Sequence, residues 1–249
     1  MHKYFFLFAF ALFACTEPTT DVVKNIEVEA RTPEVTIGSD KNWTYLFDGT
    51  STDAWRSYNG TAFPTQGWRV ANGELIVEHS GTEEAGFGGD IITKDKYKDF
   101  ELELEYALSD TSNSGIFYLV QEIPNTPIWH HAPEFQLLDD ETYKRTYPEL
   151  TDKQMSGANY DMHAQTVNYS KPIGEWNTAR IVKQGPQVTH YLNDNMVVTY
   201  HLRDEDWNAR YAASKFKDYP TYANVEAGHL GLQDHGHQVR FRNVRVRKL

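Results

Sequence analysis

The 249-residue sequence sets 24 Lys and Arg against 35 Asp and Glu, a formal charge of −11, so it lacks the clustered cations that a phosphate backbone requires and nucleic acid is excluded as a partner. A single cysteine rules out a disulfide framework, and the fold must rest on an ordinary core. An aromatic fraction of 14%, with six Trp and fifteen Tyr, suits β-strand cores and sugar-stacking faces alike.

In chain order, Lys3 precedes an unbroken apolar run from Tyr4 to Ala14, too short to span a bilayer as a helix, so residues 1–14 read as an export signal. The run closes in "LFAC" at 12–15, which resembles the bacterial lipoprotein cleavage box. Cys15 is then the lipidated residue, with the lipid anchor in a membrane. The expectation is an exported lipoprotein, periplasmic or outer-membrane associated. Residues 15–42 are rich in Thr, Glu, Pro and Val without sustained periodicity and read as a flexible tether. Residues 43–249 form a single domain with no internal repeat.

Within that domain "DFELELEYAL" is the clearest strand: Phe100, Leu102, Leu104 and Tyr106 share one face and Glu101, Glu103 and Glu105 the other, the pattern of an antiparallel strand with a solvated side. Further strands are expected at Gly73 to Glu78, Asp90 to Thr93, Gly115 to Gln121, Glu134 to Leu138, Asn177 to Lys183, Gln187 to Leu192, Met196 to Leu202, Leu230 to Gln233 and Gln238 to Arg247. Hairpin turns fall at "QGP" (184–186) and "NDN" (193–195). Asp204 to Ala223 is the one stretch suited to a short surface helix. Short strands at this spacing predict an all-β protein, a jelly-roll β-sandwich.

The sequence has no glycine-rich phosphate loop, no serine elbow and no paired CxxC, which argues against nucleotide and cofactor-dependent redox chemistry. Chemistry-bearing side chains sit instead on predicted strands. In "HHAPEFQLLDD" a strand puts Glu134 and Gln136 on one face while Phe135 and Leu137 pack behind; a half-buried Glu must be paired or its pKa rises, as an acid or base near neutrality needs. A solvated edge strand gives the same pattern. In "GLQDHGHQVRFRN" Gln233 and His235 project to one side of a strand end, Gly236 permits the turn, and Asp234 can orient an imidazole or bind a cation; a turn of satisfied polar groups is an equal reading. Asn113 and Ser114 in "TSNSGIFY" suit sugar hydroxyls or a turn cap. Tyr160, Asp161 and His163 in "SGANYDMH" carry the same ambiguity. His130, His131, Glu134 and His235 are available ligands for a divalent metal ion, but their spacing does not demand one.

The ordered segments "WTYLFDGTSTDAW", "GWRVANGEL", "DFELELEY", "NSGIFY", "PEFQLLDD", "SGANYD", "KPIGEWNTARIV" and "GLQDHGHQVRFRN" together resemble the 3-keto-disaccharide hydrolase family, over Trp43 to Leu249. The resemblance implies a concanavalin-like β-sandwich and cleavage of glycosides already oxidised to a ketone at sugar carbon 3, so an oxidised (3-keto) sugar is the implied substrate. The ketone acidifies the carbon 2 proton, the glycosidic oxygen leaves by elimination, and water later adds to the resulting glucal. Donors, a histidine or a divalent cation aimed at the carbonyl oxygen would stabilise the enolate. Carried over by motif, Glu134, Asp234 and His235 are the catalytic candidates, and Asn113, Gln136, Asp139, Gln233 and Arg242 the substrate-binding ones. "NDN" departs from the family's usual Asn-Gly turn. Two alternatives stand beside this reading. An ordinary glycosidase on the same sandwich needs a second carboxylate, and Gln136 occupies the position where one is usual; a carbohydrate-binding module would use Trp55, Trp68, Trp129 or Trp176 as platforms.

Overall fold

Alternation of apolar and polar side chains draws the chain into two antiparallel sheets. The computed structural model describes residues 42–81 and 86–249, which lie in the compact unit Ser39–Leu249. The export segment, Cys15 and the tether up to residue 41 fall outside the described residues. One sheet has the order β11(Asn195–His201), β10(Gln187–Leu192), β9(Asn177–Gln184), β6(Phe100–Leu108), β13(Val239–Lys248), β4(Glu74–Val77), β3(Trp68–Ala71), with β1(Thr44–Phe47) also paired to β13. The other has the order β2(Trp55–Ser57), β5(Ile91–Thr93), β12(His229–Leu232), β7(Asn113–Val120), β8(Glu134–Leu138). Leu102, Leu104, Tyr106, Ile181 and Phe241 from the first sheet meet Ile91, Ile116, Phe135, Leu137 and Leu232 from the second in one apolar core, so the concanavalin-like sandwich is the observed fold.

The glutamate face of β6 is not the solvated side that its alternation predicts. In the β6–β13 register Glu101 lies opposite Arg247, Glu103 opposite Arg245 and Glu105 opposite Arg242, and each pair forms a salt bridge. Glu101 is 2% exposed, held between Arg180 Nη1 (3.1 Å) and Arg247 Nε (2.7 Å). Trp43 and Trp176 lie over the arginines of this ladder.

The hairpins form where expected. Between β10 and β11, Asn193 and Asp194 take φ of 49° and 64°, the left-handed pair that a two-residue turn needs and that Asn and Asp accept more readily than other side chains. The helical stretch resolves into α2(Glu205–Ala213), capped by Asp204 on Trp207 N at 2.8 Å, followed by a 3₁₀ turn at Lys215–Asp218. A short helix outside the expected elements, α1(Asp140–Thr146), follows β8.

The five-stranded sheet is buried on both faces. Where β7 runs beside β12 the pairing slips between His229/Val120 and Gly231/Phe117, with Leu119 at φ 55°, a β-bulge. Phe117 and Val120 then pack outward with Ile92, Ile128 and Ala132 in a second small core. Trp129, packed against that outer cluster, also lines a cleft.

Candidate active site

The cleft lies on the outer face of the five-stranded sheet, and strand pairing fixes its floor. β8 pairs with β7 so that Phe117 faces Glu134 and Gly115 faces Gln136. Phe135 and Leu137 point into the core, each fully buried, which leaves Glu134 and Gln136 on the cleft side. Gln233 follows β12 and donates its backbone N–H to Gly115 O at 3.0 Å; His235 follows two residues on. On the free edge of β8, residues 157–160 run alongside it, with Tyr160 N donating to Glu134 O (3.0 Å) and Gln136 N to Ala158 O (3.1 Å). This adds Tyr160 to the wall. Trp129, from the 3₁₀ turn Ile128–His130, and Lys215 complete a lining of Asn113, Trp129, Glu134, Gln136, Tyr160, Lys215, Gln233 and His235. The enclosed space is about 360 Å³ including its open mouth.

Glu134 is 6% exposed. Burial, reinforced by the Asp90 carboxylate and opposed by the Lys215 ammonium, pushes its pKa up to about 8. Two local features hold it there. Gly115 has no room for a side chain: a Cβ would stand 2.1 Å from Glu134 Oε1. The Gln136 amide, oriented so that both its ends are satisfied, donates to Glu134 Oε1 (3.0 Å) and Ser114 O (3.2 Å). Gln233 is 6% exposed, and among the described residues its Oε1 accepts no hydrogen bond, an acceptor available to a ligand hydroxyl.

Lys215 enters from the rim. Its Nζ lies 4.3 Å from the Tyr160 ring centre and 4.4 Å from that of Trp129, and its backbone N–H donates to Asp161 Oδ2 at 2.8 Å. Asp161 Oδ1 in turn accepts from Gln154 Nε2 at 2.7 Å, so the 157–161 and 214–216 segments are locked together.

The structure brings Glu134, His235, Asn113, Gln136 and Gln233 to one cleft, and places the other candidates elsewhere. Asp234 is fully buried and does not line the cleft. Its Oδ2 accepts from Gly88 N (2.9 Å) and its Oδ1 from Gly236 N (3.0 Å), while a Cβ on Gly86 would strike its carboxylate at 1.8 Å; it ties the 86–89 loop to the His235 turn. Asp139 caps α1, accepting from Thr142 N (3.2 Å) and Thr111 N (3.1 Å), which uses both its oxygens on backbone. Arg242 lies on the other sheet, paired with Glu105 and stacked 4.0 Å from the Trp176 ring centre; β13 alternation points Phe241 inward and Arg242 away from the core. Among the described residues no group of three or more His, Cys, Asp or Glu converges on a metal position. His131 spends its ring nitrogens on Thr221 Oγ1 (2.6 Å) and Thr126 Oγ1 (2.8 Å), and His130 stacks on Tyr219 at 3.9 Å. The four suggested metal ligands therefore do not fit one ion. Of the four suggested tryptophan platforms, Trp55 and Trp68 are core residues with Nε1 bonded to Leu46 O and Gly89 O, and only Trp129 reaches the cleft.

Lys215 carried no signal in the sequence, since nothing in "SKFKDY" separates it from Lys217. Gly115 did: a glycine inside an apolar strand marks close approach of another group. A carboxyl held largely protonated at neutral pH, an imidazole, an ammonium and three amides can move protons on, and orient, one polar ring.

Comparison with known proteins matches residues 42–247 to the 3-keto-alpha-glucoside-1,2-lyase-like domain. A 3-keto-disaccharide hydrolase of Bacteroides thetaiotaomicron is 36% identical over 225 residues, covering 82% of this chain and 77% of the relative. Among solved structures, a candidate glycosyl hydrolase from Parabacteroides distasonis ATCC 8503 superposes with a TM-score of 0.74 at 31% identity, over 84% of this chain and 94% of the other. A second such protein from the same organism, 23% identical with a TM-score of 0.63 over 84% and 100% of the two chains, shares the fold.

Proposed function

The chain belongs to the 3-keto-alpha-glucoside-1,2-lyase-like family, and from that premise we propose that it cleaves 3-keto-glycosides by elimination and hydration, with Glu134 as the acid and His235 as the base. His235 takes the proton from carbon 2, whose C–H electrons move into the ring to form an enolate with the carbon 3 carbonyl. The enolate then expels the glycosidic oxygen from carbon 1, leaving a carbon 1–carbon 2 double bond, and Glu134 donates its proton to the departing oxygen. In the second half the Glu134 carboxylate removes a proton from water adding at carbon 1 while the His235 imidazolium returns one to carbon 2. Both side chains end as they began, and the net reaction is hydrolysis.

The observation that carries this reading is the raised pKa of Glu134, about 8, which keeps the carboxyl protonated at pH 7 and so able to donate. Among the cleft-lining residues it is the one carboxyl, whereas a two-carboxylate glycosidase needs a pair across the scissile bond. Asn113 and Gln233 present amides to the sugar hydroxyls, while Gln136 orients the Glu134 carboxyl.

Leaving-group dependence tests the roles. Glu134→Gln should slow release of methanol from methyl 3-keto-glucoside by about 10²- to 10⁴-fold, yet slow 4-nitrophenyl 3-keto-glucoside little, because nitrophenolate leaves without a proton. His235→Ala should slow both. Normal rates for both variants on both substrates would reject the site. For the native chain, turnover should fall as pH rises through about 8, where Glu134 loses its proton. The proposed location, a membrane-anchored exported lipoprotein, is tested by radiolabelled palmitate incorporation, which Cys15→Ser should abolish.

A further inference from the structure

The reaction proposed above places negative charge on the carbon 3 oxygen at its highest point, and among the cleft-lining residues there is one lysine, Lys215. We propose that the Lys215 ammonium is the electrophile that receives the ketone oxygen of a 3-keto sugar and stabilises the enolate, making Lys215 a catalytic residue. This inference rests on the proposed elimination; it adds the residue that makes the carbon 2 proton removable.

Position is the first support. Lys215 lines the same cleft as Glu134 and His235, and its ammonium is held between two aromatic faces, 4.3 Å from the centre of Tyr160 and 4.4 Å from that of Trp129. Contacts of this kind attract the charge as a whole and do not depend on aiming a particular N–H, and an ammonium carries three donors. A sugar ring covering the mouth would also remove water from the cation and strengthen its hold on an oxyanion.

Pre-organisation is the second. A long exposed lysine ordinarily wanders, but here the backbone N–H of Lys215 is fixed by Asp161, itself held by Gln154, while Ser214 Oγ accepts from Phe216 N at 3.1 Å and sets the turn. Asp161 is thus a positioning residue. The field of the ammonium also reaches the floor: it is the group that opposes the burial-driven rise at Glu134. Removing it should therefore move the alkaline limb of the pH profile upward on a substrate whose leaving group needs the Glu134 proton, which reports that the ammonium sits beside the floor, while the loss of carbon 2 exchange reports its part in the chemistry.

The test compares native protein with Lys215→Met and Lys215→Ala on 4-nitrophenyl 3-keto-glucoside, following nitrophenolate release and the exchange of carbon 2 hydrogen for deuterium in heavy water. Methionine keeps the stem that covers the aromatic rings. Expected for Lys215→Met is a kcat about 10²- to 10³-fold lower with KM within about threefold, a parallel loss of exchange and, with methyl 3-keto-glucoside as the substrate, an alkaline limb displaced to higher pH. Methylammonium should restore part of the Lys215→Ala rate saturably and leave the native rate unchanged. A Lys215→Met kcat within threefold of native, or a change confined to KM, overturns the inference while leaving the elimination intact. Native protein that neither exchanges the carbon 2 hydrogen nor releases nitrophenolate overturns the elimination itself, and this inference with it.

Discussion

Glu134 shows how one residue trades stability for chemistry. Folded, it keeps its proton up to about pH 8; the ordinary value for a glutamate is 4.5. Between those values the unfolded chain is ionised and the folded one is not, so folding must take up a proton and stability falls as pH rises across that window. Glu134→Gln removes this cost and should stabilise the protein at pH 7 by up to about 3 kcal/mol, with the gain vanishing near pH 4.5. Thermal unfolding of the two proteins at pH 4.5 and 7 measures it, and equal midpoints at pH 7 would mean that the carboxyl is not desolvated. Gly115 belongs to the same scale. Its backbone is ordinary extended strand, so Gly115→Ala should fold, but the new methyl displaces the Glu134 carboxyl. A loss of kcat of tenfold or more with an unchanged unfolding midpoint is expected; native activity would mean that the carboxyl sits elsewhere during turnover.

At the scale of the element, β6 and β13 are joined by more than their backbone ladder. Glu101 is buried with Arg180 and Arg247 around it, and deleting the carboxylate leaves two buried cations without it. Glu101→Ala should destabilise the fold by about 3 to 5 kcal/mol while leaving kcat unaltered in the folded fraction, as chemical denaturation and initial rates would show. Period-two alternation made β6 itself legible, and it fixed Glu134 and Gln136 on one face through Phe135 and Leu137. It did not reveal that the glutamate face is covered, because the arginines opposite lie about 140 residues later and only register brings them there. β1, β2 and β3 escaped for a different reason: at three or four residues each they express no period, and they lack the apolar runs that mark the equally short β4 and β5. Family resemblance more than spacing puts Gln233 and His235 forward, and both line the cleft; neither separates them from Asp234 between them, whose carboxylate accepts from Gly88 N. Tyr160 is among the ambiguous polar candidates and reaches the site by pairing with the edge of β8, whereas Lys215 is brought there by the tertiary contact of its backbone with Asp161, which no local pattern announces.

Across the whole molecule, two sets of displaced titrations oppose each other and set where the fold is most stable. Burial pushes His163 down to about 4 and His190 down to about 3, and lowers His131, His229 and His237 as well. Each takes up a proton more readily unfolded than folded, so each contributes stability that grows as pH rises toward its ordinary value of about 6.5 and is complete above it. Burial also raises the carboxyls of Asp140, to about 6, and of Asp234 and Glu134, which act in the reverse sense. Below about pH 6 the histidines outnumber the carboxyls and stability climbs with pH. The histidine contribution is complete about one unit above 6.5 while Glu134 still titrates, and stability then falls at up to about 1.4 kcal/mol per pH unit toward pH 8. The unfolding midpoint of the native protein should therefore peak near pH 7, and Glu134→Gln should convert the alkaline decline into a plateau. A native midpoint still rising between pH 7 and 8 would contradict this balance. The same ionisation that ends the acid's usefulness above pH 8 would then also be the one that weakens the sandwich around it.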